Sequence, residues 1–175
     1  HDVAWAPIGP LVRGPISGLV DPPPLFPEDW VEVIPLAEWR TPRARCTGAR
    51  PVIGRHSRPD PLKWPDTPED ILEAYPATPD FKVRLLGGGP FLREMLGGYP
   101  DNWTVMPFGS LPPRDFLTRL DFFVYFHHSR WIEAFGRAIL EAIARGAVAI
   151  LPAHFHALFG EAATYARPCD VPLVV

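Results

Sequence analysis

The chain has 175 residues, of which 47% are hydrophobic and 21% are charged, so it is long enough to bury one core and has the composition of an ordinary globular domain. This apolar content and a net charge of −3 exclude intrinsic disorder. No run approaches the roughly 18 apolar residues of a membrane-spanning helix. The two cysteines, Cys46 and Cys169, give no disulfide framework, and reduced thiols are expected.

The 24 prolines are distributed unevenly, with sixteen in residues 1–79 and eight in residues 80–175. Because proline fixes φ and removes a hydrogen-bond donor, long helices and central strands are not expected near the N-terminus. We predict that residues 1–50 form an irregular, proline-rich lead-in packed on a domain of residues 51–175. The chain begins without Met and without a signal-peptide pattern, so we expect a piece cut from a longer, cytoplasmic protein.

From residue 51 onward, strand-sized apolar runs alternate with helix signals. Strands are predicted over 51–54, 81–86, 103–108, 122–126, 147–151 and 173–175. Helices are predicted over 66–75, 91–96, 112–120 and 135–145, with a short helical turn over 154–159. The runs at 122–126 and 147–151 are apolar throughout, as in strands that are buried on both faces. This alternation predicts a single α/β domain with a Rossmann-like, doubly wound parallel sheet.

Basic residues are concentrated in one segment. Seven lie between Arg40 and Lys63 against one acid, whereas the rest of the chain has ten bases and nineteen acids. A basic segment on an acidic body favours a small anionic ligand over a nucleic-acid duplex, which requires a broad basic face. We interpret Arg40, Arg43 and Arg45 as a solvated linker. The later cations of this segment, Arg55, Arg58 and Lys63, follow the first predicted strand. Ligands of such sheets bind beyond the carboxyl ends of the strands.

The most informative stretch, residues 133–150, follows a buried strand and opens a helix. The free N–H groups and partial positive charge of a helix N-terminus suit an anion. Glu133 precedes this helix, and Glu141 is eight residues on, about 12 Å along a regular helix. Carboxyl pairs of glycoside hydrolases lie about 5 to 9.5 Å apart. Glu133 and Glu141 are therefore suited to hold two ends of an elongated ligand rather than to cleave one bond.

This pattern, E-x7-E with Phe135-Gly136 after the first Glu, resembles the donor-binding domain of GT-B glycosyltransferases, in particular the retaining group 1 (family 4) class. The resemblance implies that the chain is the C-terminal half of a GT-B fold. It extends over residues 51–168 and includes five loop elements in the family's order. These are Gly54-Arg55 with Lys63, then 86–90, 105–109, 121–124 leading into Glu133, and 159–163 followed by Tyr165 and Pro168.

The resemblance implies roles for individual residues. Three would be catalytic: Glu133 would bind hydroxyls of the transferred sugar, while Arg55 and Lys63 would neutralise the diphosphate as it leaves. The spacing between these two cations departs from the family pattern, so Arg58 is the alternative to Lys63. Glu141 would bind the ribose. The remaining donor-binding residues would be Gly54, Gly87, Gly89, Met106 and Pro107, together with backbone N–H groups of Ala134, Phe135 and Gly136.

The resemblance also implies partners. The donor would be a UDP-, GDP- or ADP-linked sugar, with no metal, no other cofactor and no nucleic acid. A glycan or lipid acceptor would be held by a missing N-terminal domain, so the chain alone would be an inactive hexosyltransferase-like fragment. The full-length enzyme would be cytoplasmic or peripheral to the inner membrane.

Four histidines follow strands, and zinc is one interpretation of them. They are His127, His128, His154 and His156. Adjacent histidines point in different directions, and an H-x-H pair on a helical turn does not converge, so no metal site is predicted. We expect instead that His127 or His128 faces the sugar or the phosphate. Trp103 and Phe135 are candidates for stacking on a base, with burial in the core as the alternative.

Two other functions stay open. A doubly wound regulatory or interaction module would have this fold without a nucleotide site, although receiver domains need acids where this chain has Gly54-Arg55. A GT-B epimerase or phosphorylase would share the fold and much of the site.

Overall fold

The computed structural model describes residues 3–40 and 50–175, so Arg43, Arg45 and Cys46 lie outside the described residues. Six strands form one sheet: β1 (Val52–His56), β2 (Lys82–Leu86), β3 (Trp103–Met106), β4 (Phe122–Val124), β5 (Val148–Leu151) and β6 (Thr164–Tyr165). All neighbours are parallel, in the order β3-β2-β1-β4-β5-β6. This confirms the predicted Rossmann-like sheet.

Eight helices accompany the strands. They are α1 (Pro10–Ser17), α2 (Leu36–Trp39), α3 (Pro68–Ala74), α4 (Gly89–Met95), α5 (Pro113–Leu117), α6 (Arg137–Ala144), α7 (His156–Phe159) and α8 (Val171–Val174). The start of α3 follows from its sequence: the Thr67 side chain accepts a hydrogen bond from the Asp70 N–H, and Pro68 occupies the first turn. No helix in the described part of the chain is long and apolar enough to cross a membrane.

The strand order places a topological switch beside β1. The chain runs from β1 outward through β2 and β3, then returns to the other side of β1, where Ile53 pairs with Phe122 and Gly54 with Phe123. The loops that follow β1 and β4 therefore diverge above the same edge of the sheet. Ligands of open α/β sheets bind in the crevice that such a divergence creates.

Each face of the sheet is covered by its own apolar cluster. Ile53, Val124 and Ile150 belong to one cluster, and Phe123 and Ala149 to the other; all five side chains are fully buried. Successive residues of β4 and of β5 thus point into opposite clusters. The uniformly apolar sequences of these strands reflect this burial on both faces.

The N-terminal segment packs on the domain through a few specific contacts. Within the segment, Trp5 forms a parallel bridge with Leu25. Helix α1, which contains Pro15, contacts α7 of the domain. Helix α2 is held against α6 by Arg145, whose guanidinium donates a 2.8 Å hydrogen bond to the Trp39 carbonyl.

The end of the chain differs from the sequence-based prediction. A strand over 173–175 is wrong, because Val171–Val174 is the helix α8, with Pro172 in its first turn. The last strand is instead β6, whose two residues are too few for a period-two pattern to be visible. The predicted strand over 122–126 ends at Val124, although the Tyr125 N–H still donates to the Ile150 carbonyl.

Close packing of β1 predicts that Gly54→Ala strongly destabilises the fold. A Cβ at residue 54 would lie 1.9 Å from the Arg84 carbonyl oxygen on β2, and neither backbone can move without breaking the central ladder. We expect a loss of about 3 kcal/mol or more in the free energy of unfolding. Urea titration measures it. The matched control is Gly14→Ala in α1, where a Cβ meets no atom within 4 Å. Equal urea midpoints for the two variants would contradict the prediction.

Candidate functional site

A cavity of about 350 Å³ opens at the carboxyl ends of β1 and β4, at the topological switch. Residues from the β1 end and its loop, the loop after β3 and the start of α5, the loop after β4 and the first turns of α6 line it. They are His56, Ser57, Arg58, Lys63, Phe108, Pro113, Tyr125, Glu133, Gly136, Arg137, Ala138 and Glu141. The structure thus brings together five of the residues singled out in the sequence, which are Arg58, Lys63, Glu133, Gly136 and Glu141.

The Glu133 carboxylate joins the two loops. Its Oε2 lies 2.5 Å from Lys63 Nζ and accepts a 2.5 Å hydrogen bond from the Tyr125 hydroxyl. The Trp131 indole N–H donates to the same oxygen at 3.3 Å, and Lys63 Nζ lies 4.1 Å from the centre of the Trp131 ring. Oxygen Oε1 takes part in none of these contacts.

These partners decide the ionisation of Glu133. Burial by itself raises the pKa of a carboxyl group, but the hydrogen bonds from Lys63 and Tyr125 outweigh burial and hold the pKa of Glu133 below its ordinary value of 4.5. Glu133 is therefore a carboxylate at neutral pH. It can only accept hydrogen bonds, as a ligand for hydroxyl groups must.

The Glu141 carboxylate lies one turn into α6. His56 Nε2 at the end of β1 is 3.3 Å from its Oε2, and Arg137 Nε is 3.0 Å from its Oε1. Burial would raise the pKa of Glu141, but hydrogen bonds from His56 and Arg137 outweigh it and lower the pKa. Arg137 also pairs with Glu32 of the N-terminal segment.

The first turn of α6 lies between the two carboxylates. Gly136 precedes the helix with a φ of 86°, and a Cβ there would lie 2.8 Å from Ile139 Cδ1. Glycine is therefore required for the chain to enter the helix at this angle. Neither Ala134 nor Phe135 lines the cavity, and the Phe135 ring packs on Phe159 with centroids 6.2 Å apart.

Gly87 and Gly89 do not line the cavity, but they allow close packing against the loop that carries the lining residues Ser57 and Arg58. A Cβ on Gly87, where φ is 102°, would lie 1.9 Å from the Ser57 carbonyl oxygen, and one on Gly89 would lie 2.9 Å from Pro59 Cβ. Both glycines let the loop after β2 pack against the loop after β1. Within the sheet, Gly54 likewise allows the backbones of β1 and β2 to lie close together.

The strand end at 105–109 contributes one residue to the cavity wall, Phe108. Met106 and Pro107 do not line the cavity. The Met106 carbonyl accepts a hydrogen bond from the Gly87 N–H, and the Pro107 carbonyl accepts one from Ser110.

Arg55 does not reach the cavity. Its side chain is fully buried, between the rings of Trp64 and Tyr125. The resemblance implies that Arg55 contacts the diphosphate, whereas the structure buries its guanidinium outside the cavity lining.

Sequence reasoning missed several lining residues. Arg137 is detectable from its i, i+4 spacing to Glu141, which is the spacing of helical ion pairs. His56 and Ser57 directly follow a predicted strand. Tyr125 belongs to the run 122–126 that the sequence predicts to be a buried strand, and its ring is buried, but its hydroxyl donates to Glu133.

The four histidines considered for zinc, His127, His128, His154 and His156, do not line this cavity, so the expectation that His127 or His128 lines the donor site is not met there. His127 and His154 have ring centroids 5.3 Å apart and line a separate cavity of about 510 Å³, together with Trp131. Burial lowers the pKa of both rings. His128 Nδ1 lies 3.1 Å from Asp66. Within residues 3–40 and 50–175, no group of three or more His, Cys, Asp or Glu side chains is placed to hold a metal ion.

The sequence matches no protein-family model and no curated protein. Solved structures do match. TarM superposes with a TM-score of 0.65 at 11% identity, covering 98% of this chain and 34% of TarM. A mutant of S. aureus TarM in complex with fondaparinux, alpha-GlcNAc-glycerol and UDP gives 0.61 at 13% identity, covering 83% of this chain and 29% of that one.

A glycosyltransferase from Rickettsia africae gives a TM-score of 0.59 at 16% identity, covering 82% of this chain and 42% of that enzyme. The chain thus spans about a third of the length of TarM and less than half of the Rickettsia enzyme. Identities this low establish the fold alone. The chain has the Rossmann-like α/β fold found in these GT-B glycosyltransferase structures.

Proposed function

We propose that this chain is the donor-binding domain of a retaining glycosyltransferase of the group 1 (family 4) class and binds a nucleoside diphosphate sugar in the 350 Å³ cavity. The observation that carries the proposal is the cavity itself. It lies at the topological switch of the sheet, and Glu133 and Glu141 both line it, with the start of α6 between them. An elongated ligand with hydroxyls at both ends and an anionic centre is complementary to that arrangement.

Glu141 would bind the nucleoside end. Its carboxylate is ionised and is held by His56 and Arg137, so its orientation is fixed before ligand arrives. A preorganised carboxylate accepts hydrogen bonds from the two ribose hydroxyls at little entropic cost.

The diphosphate would lie between Arg58, Lys63 and the start of α6. Arg58 is exposed and has no ion pair among the described residues. Lys63 is paired with Glu133, but an ammonium group has three donors and can hold Glu133 and a phosphate oxygen together. The N-terminus of α6 adds a partial positive charge. These groups would neutralise the leaving diphosphate without a metal ion.

The sugar would lie at Glu133, whose carboxylate would accept hydrogen bonds from its hydroxyls. A glycan or lipid acceptor would be presented by a separate domain, and the sugar would be transferred with its anomeric configuration retained. We expect the 175-residue chain alone to bind donor and not to transfer it.

Nucleotide binding is the first test. A panel of UDP, GDP, ADP, UDP-glucose, GDP-mannose and ADP-glucose is screened by thermal shift. A ligand at a hundredfold over its Kd stabilises the fold by roughly 2.7 kcal/mol, which raises the Tm by roughly 5–10 °C for a chain of this size. No shift with any of the six compounds contradicts the proposal and favours a regulatory module without a nucleotide site.

Glu141→Ala should weaken binding of the nucleotide that gives the shift by about tenfold or more, because a charge-assisted hydrogen bond to ribose is lost. Isothermal titration calorimetry measures the Kd. The 2′,3′-dideoxy form of the same nucleotide should bind wild type and variant equally. Glu94 is an exposed residue of α4 that does not line the cavity, so Glu94→Ala is the control and should leave both Kd values unchanged. A ribose preference that survives Glu141→Ala would exclude the assigned role.

The proposal requires both carboxylates to be ionised in the folded protein, and this predicts an acid dependence. Because the pKa values of Glu133 and Glu141 lie below 4.5 when folded, the stability that they contribute is present above pH 4.5. It is lost as the pH falls through the folded values. Urea unfolding of Glu133→Gln between pH 6 and pH 3 should therefore show a shallower loss than wild type. Glu94→Gln should lose stability with falling pH as the wild type does. If the free energy of unfolding of Glu133→Gln falls as steeply as that of the wild type, the prediction is wrong.

A further inference from the structure

Arg55 is an unusual residue in this site, because a permanently charged guanidinium is completely buried. Its carbon Cζ lies 4.7 Å from the centre of the Trp64 ring and 4.2 Å from the centre of the Tyr125 ring. Its Nη1 donates a 2.7 Å hydrogen bond to the Phe126 carbonyl, and the guanidinium also interacts with the hydroxyl of the buried Tyr75. No carboxylate of the described residues forms an ion pair with it.

The contacts of Arg55 join two loops: Trp64 lies in the loop after β1, whereas Tyr125 and Phe126 lie in the loop after β4. Tyr125 and Phe126 are the first residues after β4, where the chain turns toward Glu133. The cation lies against the Tyr125 ring, and the Tyr125 hydroxyl donates a 2.5 Å hydrogen bond to Glu133 Oε2. Arg55 therefore helps to hold the Tyr125 ring in place, and the hydroxyl of that ring in turn orients the Glu133 carboxylate.

The charge also affects the phenol itself. Burial raises the pKa of Tyr125, and the charge of Arg55 opposes that rise. The hydroxyl stays protonated, so it donates to Glu133, and the nearby cation makes it a stronger donor. A neutral side chain at residue 55 would fill the space but would not have this effect.

We propose that Arg55 is a positioning residue that acts through Tyr125 on Glu133, and that it does not contact the diphosphate. The role rests on the proposed function of the site. The full burial of Arg55 and its absence from the cavity lining support it, since a phosphate group would have to pass the Tyr125 and Trp64 rings to reach the guanidinium. Contact with the diphosphate then falls to the exposed Arg58 and to Lys63.

The two roles for Arg55 predict different losses in Arg55→Met. Isothermal titration calorimetry is run with UDP and UDP-glucose, or with the GDP or ADP pair if wild type prefers it. A positioning role leaves the Kd of the nucleoside diphosphate within about twofold and weakens the sugar conjugate about tenfold, the size expected for one charge-assisted hydrogen bond. A tenfold weaker Kd for the nucleoside diphosphate itself would overturn the proposal.

Two variants provide matched controls. Tyr125→Phe removes only the hydroxyl and should reproduce the selective loss of the sugar conjugate, whereas Arg58→Met should weaken both ligands equally. If Arg55 acts through Tyr125, the double variant Arg55→Met/Tyr125→Phe is no weaker than either single variant. Additive losses would overturn the proposal.

A measurement without ligand separates this inference from the proposed function. The Glu133 carboxyl is titrated by NMR in each variant; besides Lys63, Tyr125 and Trp131, it faces His127. Arg55→Met and Tyr125→Phe should both raise the pKa of Glu133, and Arg55→Lys should raise it less. An unchanged titration in Arg55→Met refutes the positioning role.

A wild-type protein that binds no nucleotide would refute the proposed function, and the Glu133 titration would still decide the role of Arg55. Replacing a buried cation by an apolar side chain of similar length is often tolerated. If Arg55→Met nevertheless fails to fold, Arg55→Lys and Tyr125→Phe decide the question by the same criteria.

Discussion

The contact between Lys63 and Glu133 holds the candidate site together. Their side chains are 70 residues apart in sequence, yet Nζ and Oε2 are separated by 2.5 Å. The contact is available only because β1 and β4 are neighbours in the sheet, which brings the loop after one against the loop after the other. Tyr125 and Trp131 donate to the same oxygen, so the position of one carboxylate depends on both loops at once. Lys63, Tyr125 and Glu133 all line the cavity, so this shared contact forms part of its wall.

Much of the fold could be predicted because its signals are local. The apolar runs at 122–126 and 147–151 identified strands buried on two faces, and Thr67-Pro68 identified the start of a helix. The ends of elements were less accurate, since a strand stops where its partner stops and not where the apolar run ends. The last strand shows the same dependence on a partner: the two-residue β6 exists because Ile150 and Leu151 of β5 pair with it.

Predictions for the site also depend on whether their signal is local in the sequence. Glu133 and Glu141 could be paired from their spacing around a helix start, and the structure places both at one cavity. Whether a side chain faces the cavity or the interior depends on packing between distant segments, which no local pattern reports. Arg55 and Arg58 are three residues apart and equally basic, yet the first is buried between two rings and the second is exposed. Tyr125 is the converse case, because its ring belongs to the core while its hydroxyl reaches Glu133 in the site.

The pairing of Arg137 with Glu32 extends the site beyond the sheet domain. Arg137 contacts Glu141 with one nitrogen and Glu32 with another, so an acid from the proline-rich segment shares the cation that orients the carboxylate assigned to ribose. A protein trimmed to residues 51–175 would keep every strand and would leave Arg137 with only one of its two acids. Shortened versions intended for ligand screening should therefore begin before Glu32, so that both acids around Arg137 are kept.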